Sequence, residues 1–277
     1  MADQTPGPGA AKADYRAIES LVGFWSDAGV DVCYEDQAVD RTRRPAPPPR
    51  PVAGAAAERR APAAVPAGPD VSEAIAQARA LAAGATDLAA LEAAIAAFDG
   101  CGLKFQGARR AVFSRGTPDA PVVIVGEGPG GDEDAQGAPF VGRAGKLLDR
   151  MLEAAGLTGR VFITNTVFWR PPGNRTPSPS EQSICAPFLH RAIELVRPRI
   201  LLMVGGASAK SMLQRDEGIL SLRGRWFEWR SQDESLVLPA LPTLHPAFLL
   251  RQPAAKKKAW ADLLTLTERL DRPERPA

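Results

Sequence analysis

A glycine-rich segment at 126–142, GEGPGGDEDAQGAPFVG, carries four carboxylates within eight residues, namely Glu127, Asp132, Glu133 and Asp134. Its glycines permit tight turns and a close approach of the backbone to a ligand. The segment lacks the lysine and the Ser/Thr of a P-loop, and no ribose-binding acid follows at the distance that a dinucleotide fold requires. Carboxylates beside such a turn are better suited to activating water or stabilising a cation than to binding a nucleotide cofactor.

Further polar side chains follow three other apolar runs. Asn165 ends VFITN, and its amide can both donate and accept, as reading the edge of a base requires. The proline-rich stretch behind it carries Arg170 and Arg175, which suit a phosphate backbone. Ser208 lies in GGASAK, where it is expected to cap a helix whose N-terminus binds phosphate. His245 precedes a proline in LHPAFLLRQP. Together these groups indicate a functional cleft.

The elements that position these residues are short apolar runs alternating with helical patterns. The runs at 121–126, 161–165, 200–205 and 236–243 predict buried strands, and 144–155 predicts an amphipathic helix. This alternation predicts an α/β fold with a mainly parallel sheet covered on both faces. Ligands of such sheets bind at the carboxyl ends of the strands, where the polar residues lie.

Composition excludes several classes of protein. None of the 277 residues belongs to an apolar run of about 18, which a spanning helix needs, and the N-terminus lacks the apolar core of a secretory signal. Three cysteines without zinc-finger spacing argue against a disulfide scaffold or a structural zinc site and predict a cytoplasmic protein. The net charge of +2 permits a nucleic-acid partner without requiring one.

The first part of the chain differs from the rest. Residues 15–30 predict a short helix, and the Pro-, Ala- and Arg-rich residues 40–70 predict a disordered linker. This linker is interpreted as a solvated tether, with loose attraction to DNA as the alternative. Residues 71–98 predict two helices that Gly84 separates. We therefore predict an N-terminal extension at 1–70 and a catalytic domain at 71–277.

Three motifs in this order, GEGPGGDEDAQGAPFVGRAGKLLDRML, ITN…RPPGNRTPSPSE and HPAFLLR, resemble those of the family 4 uracil-DNA glycosylases. That family has GEAPG-x-x-E-D-x-x-G-x-PFVG as its first motif and HP-S-x-LLR as its last. The resemblance covers roughly residues 95–266. It implies a three-layer α/β/α sandwich with a central four-stranded parallel sheet. It also implies hydrolysis of the N-glycosidic bond of deoxyuridine in DNA.

The resemblance implies roles position by position. The residues expected to be catalytic are Glu127, His245 and Glu133. Glu127 matches the carboxylate that orients water or stabilises the sugar cation, and Glu133 matches a second carboxylate, at the pocket wall. His245 matches the donor to uracil O2. The residues expected to bind uracil are Gly126, Gly128, Phe140 and Asn165. Those expected to contact DNA are Arg170, Arg175, Ser208, Leu249, Leu250 and Arg251, with the two leucines entering the duplex where the base leaves.

One departure concerns the [4Fe–4S] cluster that this family usually holds through four cysteines. Cys101 and Cys185 match two of the ligands, whereas Phe98 and Trp169 stand at the positions of the other two. Two thiolates do not satisfy a four-cysteine cluster. We therefore expect no metal and no cofactor, with the two aromatic side chains filling the space by packing.

Three alternatives remain open at this point. The protein could be a broader glycosylase acting on hypoxanthine or xanthine, because Gly128 replaces an alanine of the motif. It could be a catalytically weak DNA-binding sensor of damage. The N-terminal segment could also dock a repair or replication partner. The expected partner is uracil-containing DNA, and the expected protein is a monomer with no membrane association.

Overall fold

The computed structural model describes residues 71–232 and 234–272. The predictions for the N-terminal extension, and Cys33, lie outside these residues. Two helices precede the sheet, and the remaining helices alternate with strands or follow them. In chain order the helices are α1 (Val71–Gly84), α2 (Leu88–Ala97), α3 (Gly131–Gln136), α4 (Arg143–Ala154), α5 (Pro179–Val196), α6 (Gly206–Leu213), α7 (Ile219–Leu222), α8 (Pro246–Arg251) and α9 (Lys256–Asp271).

A mixed sheet of six strands forms the middle layer. The strands are β1 (Arg115–Gly116), β2 (Val122–Gly126), β3 (Val161–Asn165), β4 (Ile200–Val204), β5 (Phe227–Arg230) and β6 (Val237–Thr243), in the order β1-β3-β2-β4-β6-β5. The four inner strands are parallel, which confirms the predicted α/β fold with its four-stranded parallel core. The sheet is larger than predicted, because β1 and β5 add an antiparallel strand at each edge.

The inner strands are apolar on both faces because helices cover both sides of the sheet. Val123 and Val125 of β2 belong to the core under α1, α2 and α5. Phe188 of α5 packs in the same core. Ile124 points to the opposite face, where it packs with leucines of α4 and α9 such as Leu263. Alternation along a buried strand thus fills two cores at once. The arrangement is the predicted three-layer sandwich.

Local signals place the helix starts as expected. Gly84 ends α1, and Asp87 caps α2 by accepting a 2.8 Å hydrogen bond from the Ala90 N–H. Ser178 and Glu181 form the capping box of α5 that the sequence predicts. Glu181 also pairs with both terminal nitrogens of Arg175, at 2.7 and 2.8 Å. The capping box therefore anchors the proline-rich loop that follows β3.

No helix among the described residues is long and apolar enough to cross a membrane.

Candidate active site

The predicted cleft lies at the carboxyl ends of the parallel strands, with a volume of about 530 Å³. It brings together most of the residues singled out in the sequence, although they come from loops after three different strands. Those that line it are Glu127, Gly128, Glu133, Phe140, Asn165, Arg175, His245 and Arg251. The open α/β architecture thus gathers these side chains at one edge of the sheet, as expected for a ligand site.

The floor of the cleft is a close contact between Gly126, Phe140 and Asn165. A Cβ atom at Gly126 would clash with Oδ1 of Asn165 and lie 2.5 Å from the ring of Phe140, so only glycine fits there. Asn165 is 1% exposed, and its Oδ1 has no hydrogen-bond partner within the described part of the chain. A buried acceptor without a partner is costly, and such a group at a cleft indicates a position where a bound molecule can donate a hydrogen bond.

Phe140 is held against this floor by its backbone. Its φ of 55° lies in the left-handed region, which is uncommon for a bulky residue and is found at functional sites. Arg115 stabilises the turn, since its Nε donates to the carbonyl of Pro139 at 2.7 Å and an Nη donates to that of Phe140 at 3.2 Å. Sequence reasoning missed Arg115, because nothing local links it to a loop 24 residues away.

His245 caps α8, and this contact determines which of its two ring nitrogens carries the proton. Its Nδ1 accepts a 3.2 Å hydrogen bond from the Ala247 N–H, so the proton of the neutral ring sits on Nε2. Burial, together with the positive charge of Arg251, lowers the pKa of His245 from 6.5 to about 4, although Glu133 acts in the opposite direction. Its ring centroid is 5.7 Å from that of Phe140. At neutral pH His245 is therefore a neutral donor.

The two candidate carboxylates have different surroundings. Glu133 accepts hydrogen bonds at 3.0–3.1 Å from the N–H groups of Gly130, Val141 and Gly142. It therefore joins the loop before α3 to the loop after α3, which carries Phe140. No hydrogen bond within the described residues occupies the carboxylate of Glu127, which lines the cleft. The geometry therefore makes Glu133 a positioning residue and leaves Glu127 available for chemistry.

Two residues expected to contact DNA are buried instead. Ser208 is 0% exposed, and its hydroxyl donates to the carbonyl of Val125 at 2.7 Å, so it joins α6 to β2 rather than facing a phosphate. Leu249 is likewise 0% exposed and packs against Leu147, so it cannot enter a duplex. Leu250 is 36% exposed and is the leucine of the pair that could do so.

Gly128 stands where the family motif has alanine, and the loss of that methyl group does not enlarge the part of the cleft beside Phe140 and Asn165. A Cβ atom there would lie 2.8 Å from a methyl of Val167 and 3.5 Å from Pro177. The missing methyl group would therefore point towards the proline-rich loop, where Val167 takes up the space, and away from Phe140 and Asn165. This geometry gives no support to a wider base pocket.

Aromatic rings fill the region that corresponds to the cluster site. Phe98 and Trp169 are each 1% exposed, with ring centroids 6.4 Å apart, and Phe98 also meets Phe188 edge-on at 5.2 Å. The Cys101 and Cys185 thiols lie in the same core, and their mutual interaction lowers the pKa of Cys101 and raises that of Cys185. The residues present do not fit a four-cysteine cluster. Among the described residues, no group of three or more His, Cys, Asp or Glu side chains could hold a metal ion.

These features define an α/β/α protein that presents a buried amide, an aromatic ring and a neutral imidazole at one cleft. The family model of the uracil DNA glycosylase superfamily matches residues 113–264. The chain is 39% identical over 171 residues to a type-4 uracil-DNA glycosylase of Sulfurisphaera tokodaii, covering 60% of this chain and 77% of that protein. An Archaeoglobus fulgidus protein of the same name is 35% identical over 158 residues, covering 55% of this chain and 78% of its own length.

The chain belongs to the uracil DNA glycosylase superfamily. Its similarity to the type-4 enzymes confirms the family resemblance that the three motifs predict. A DNA polymerase of Bacillus phage SP01 is also similar, 29% identical over 159 residues, or 57% of this chain and 16% of the polymerase.

Proposed function

We propose that the protein is a uracil-DNA glycosylase, a hydrolase that cleaves the N-glycosidic bond of deoxyuridine in DNA repair and leaves an abasic site. The observation that carries the proposal is the buried Oδ1 of Asn165 beside Phe140 and Gly126, which no described residue hydrogen-bonds. Uracil presents an N3–H donor next to its O4 acceptor, and one amide can pair with both. Stacking on the Phe140 ring supplies the apolar contact that a flat base needs.

The chemistry assigns separate tasks to the remaining groups. The target carbon is inaccessible inside a base stack, so the nucleotide must first be flipped out, at a cost of a few kcal/mol. As the bond breaks, negative charge develops on uracil O2 and positive charge on the sugar. The Nε2–H of His245 stabilises the first charge, and the carboxylate of Glu127 stabilises the second or orients the attacking water.

Contacts with DNA fall to the exposed residues around the cleft. Leu250 fills the gap that the flipped base leaves, in the manner of an apolar wedge. Arg175 and Arg251 line the cleft, and Arg170 lies on the same loop as Arg175, with its Nε donating to Asn174 at 2.7 Å. These arginines are proposed to bind phosphates, which position the duplex without reading its sequence.

The test is a nicking assay on oligonucleotides that carry a single uracil, with thymine and hypoxanthine oligonucleotides of the same sequence as controls. Alkali-sensitive breaks at uracil alone are the expected result. Breaks at hypoxanthine would favour the broader glycosylase, and binding without breaks would favour the damage sensor. The position of Val167 beside Gly128 supports the narrower specificity.

A pH prediction follows from His245. We expect the single-turnover rate of uracil release to show no inflection near pH 6.5, because the lowered pKa of His245 keeps its ring neutral down to about pH 4. The measurement is a rate profile from about pH 5.5 to 8, the range over which an ordinary histidine changes its charge. An inflection near pH 6.5 that persists in a His190→Gln control would contradict this assignment.

We also propose that the protein works without an iron–sulfur cluster. Protein purified without oxygen is expected to lack the broad visible absorbance of a [4Fe–4S] centre and to contain no stoichiometric iron or sulfide. Cys101→Ala and Cys185→Ala are then ordinary small core changes, each costing about 1 kcal/mol of unfolding free energy. Iron that is stoichiometric in the wild type and lost in Cys101→Ala would refute this proposal.

The monomeric state stays a prediction. The division of the chain at residue 70 and a protein partner of the N-terminal extension also stay predictions, because they concern residues 1–70, which lie outside the described part of the structure.

A further inference from the structure

A second recess, which we call the side groove, adjoins the cleft at the same edge of the sheet. It has a volume of about 960 Å³, and Thr176 and Pro177 line both cavities. Thr166, the residue after Asn165, also lines it. Its hydroxyl donates to the carbonyl of Glu127 at 2.5 Å and accepts from Gln182 at 3.2 Å. The two cavities are therefore adjacent and share a wall that these hydrogen bonds cross-link.

The side groove is lined by cations from separate elements of the fold. Among the described residues, Asp216 is the one acidic residue that lines the groove. The cations are Arg79 of α1, Lys210 of α6, Arg215 just after α6 and Arg230 of β5. Because they come from three parts of the chain, at residue 79, residues 210–215 and residue 230, the positive charge is a property of the folded groove rather than of one charged run.

Two of these cations form no ion pair with another described residue. Arg215 pairs with Glu217 at 3.2 Å and Arg230 with Glu228 at 2.5 Å, both at exposed sites. Arg79 and Lys210 are exposed and form no ion pair within residues 71–232 and 234–272. These two side chains are therefore free to bind an anion and release its counterions.

We propose that the side groove binds the single-stranded DNA that flanks the flipped uridine, an inference that rests on the proposed function and specifies its substrate. The repeating anion that can leave the cleft and meet several cations in turn is the phosphate backbone. A duplex is stiff over about 150 base pairs and resists bending into a recess, whereas a single strand bends freely. Phosphates are the same at every nucleotide, so this binding is independent of base sequence.

The experiment compares an Arg79→Ala/Lys210→Ala double variant with the wild type on three DNAs: a long single strand with a central uracil, a duplex of the same sequence, and a uracil strand of about five nucleotides. Each lost phosphate contact on a single strand removes about 0.7 from the log–log salt slope, which is about fivefold in affinity at 0.1 M salt. The double variant is therefore expected to bind the long single strand about 25-fold more weakly, with a slope shallower by about 1.4.

Excision of the short strand and the saturated rate on the long strand should be unchanged. Arg199→Ala is the matched control, because Arg199 is an exposed arginine beside the amino end of β4, away from the cleft. An equal loss in the double variant and in this control would overturn the proposal. So would an equal loss on the duplex, or a lower saturated rate on the short strand.

Fluorescence anisotropy with a uracil-free single strand separates this proposal from the proposed function. Because this strand contains no uracil, the measurement reports binding to the groove independently of any glycosylase activity. A wild-type protein that binds the strand through Arg79 and Lys210 without releasing uracil would leave the groove assignment standing and refute the enzymatic one.

Discussion

Replacing Asn165 or His245 with alanine is expected to slow uracil release in single-turnover experiments by about 10²–10³-fold each, the typical loss for one transition-state donor. Asn165→Ala removes the amide whose buried Oδ1 has no hydrogen-bond partner among the described residues, and His245→Ala removes the neutral Nε2–H that we propose donates to the developing charge on uracil O2. Both groups are proposed to act on the base that leaves, so the loss should appear in the rate of the chemical step.

Binding of undamaged DNA provides the control for these two variants. Phosphate contacts supply most of that affinity, and neither Asn165 nor His245 is proposed to make one. The dissociation constant for uracil-free duplex should therefore change little. Full single-turnover rates in both variants would show that the cleft has been assigned to the wrong chemistry.

Gly126→Ala should be almost as damaging, although it adds a single methyl group. Its Cβ would clash with Oδ1 of Asn165 and lie 2.5 Å from the ring of Phe140, so both side chains must move. A misplacement of about 1 Å at a reacting centre can cost about 10²-fold in rate, and we expect a loss of this size. The same single-turnover assay measures it.

Gly218→Ala is the matched control for this substitution. Apart from the adjacent residues in the chain, no described residue lies within 4 Å of a Cβ atom built at Gly218, and the φ of Gly218, −67°, suits any residue. This variant should keep the wild-type rate. If Gly126→Ala releases uracil at the wild-type rate, the close contact at the floor of the cleft has no catalytic importance.

The parallel core and the residues of the cleft were predictable because they depend on strong local patterns. Each inner strand is a short apolar run, and polar groups such as Asn165 follow such runs directly. The edge strand β1 is only two residues long, Arg115 and Gly116, and gives no periodic signal. In β5, burial alternates along Phe227–Arg230, a weak pattern that sequence reasoning overlooked.

The direction in which a side chain points was the harder part to predict. Ser208 and Leu249 lie in the expected segments, but the position of each residue around its helix decides whether it faces solvent or the core. The hydroxyl of Ser208 faces inward to the carbonyl of Val125, and Leu249 faces inward to pack against Leu147. Likewise, the sequence shows several carboxylates in the glycine-rich segment without showing which of them is already occupied by backbone N–H groups. That distinction needs the three-dimensional arrangement of two loops.

The three hydrogen bonds that Glu133 accepts have a consequence for the kinetics of DNA recognition. By joining Gly130 to Val141 and Gly142, the carboxylate orders both loops in the free protein. Ordering a residue costs about 1–2 kcal/mol of backbone entropy, and here folding rather than substrate binding supplies that ordering. We therefore expect that the ordering of these two loops does not delay association with DNA.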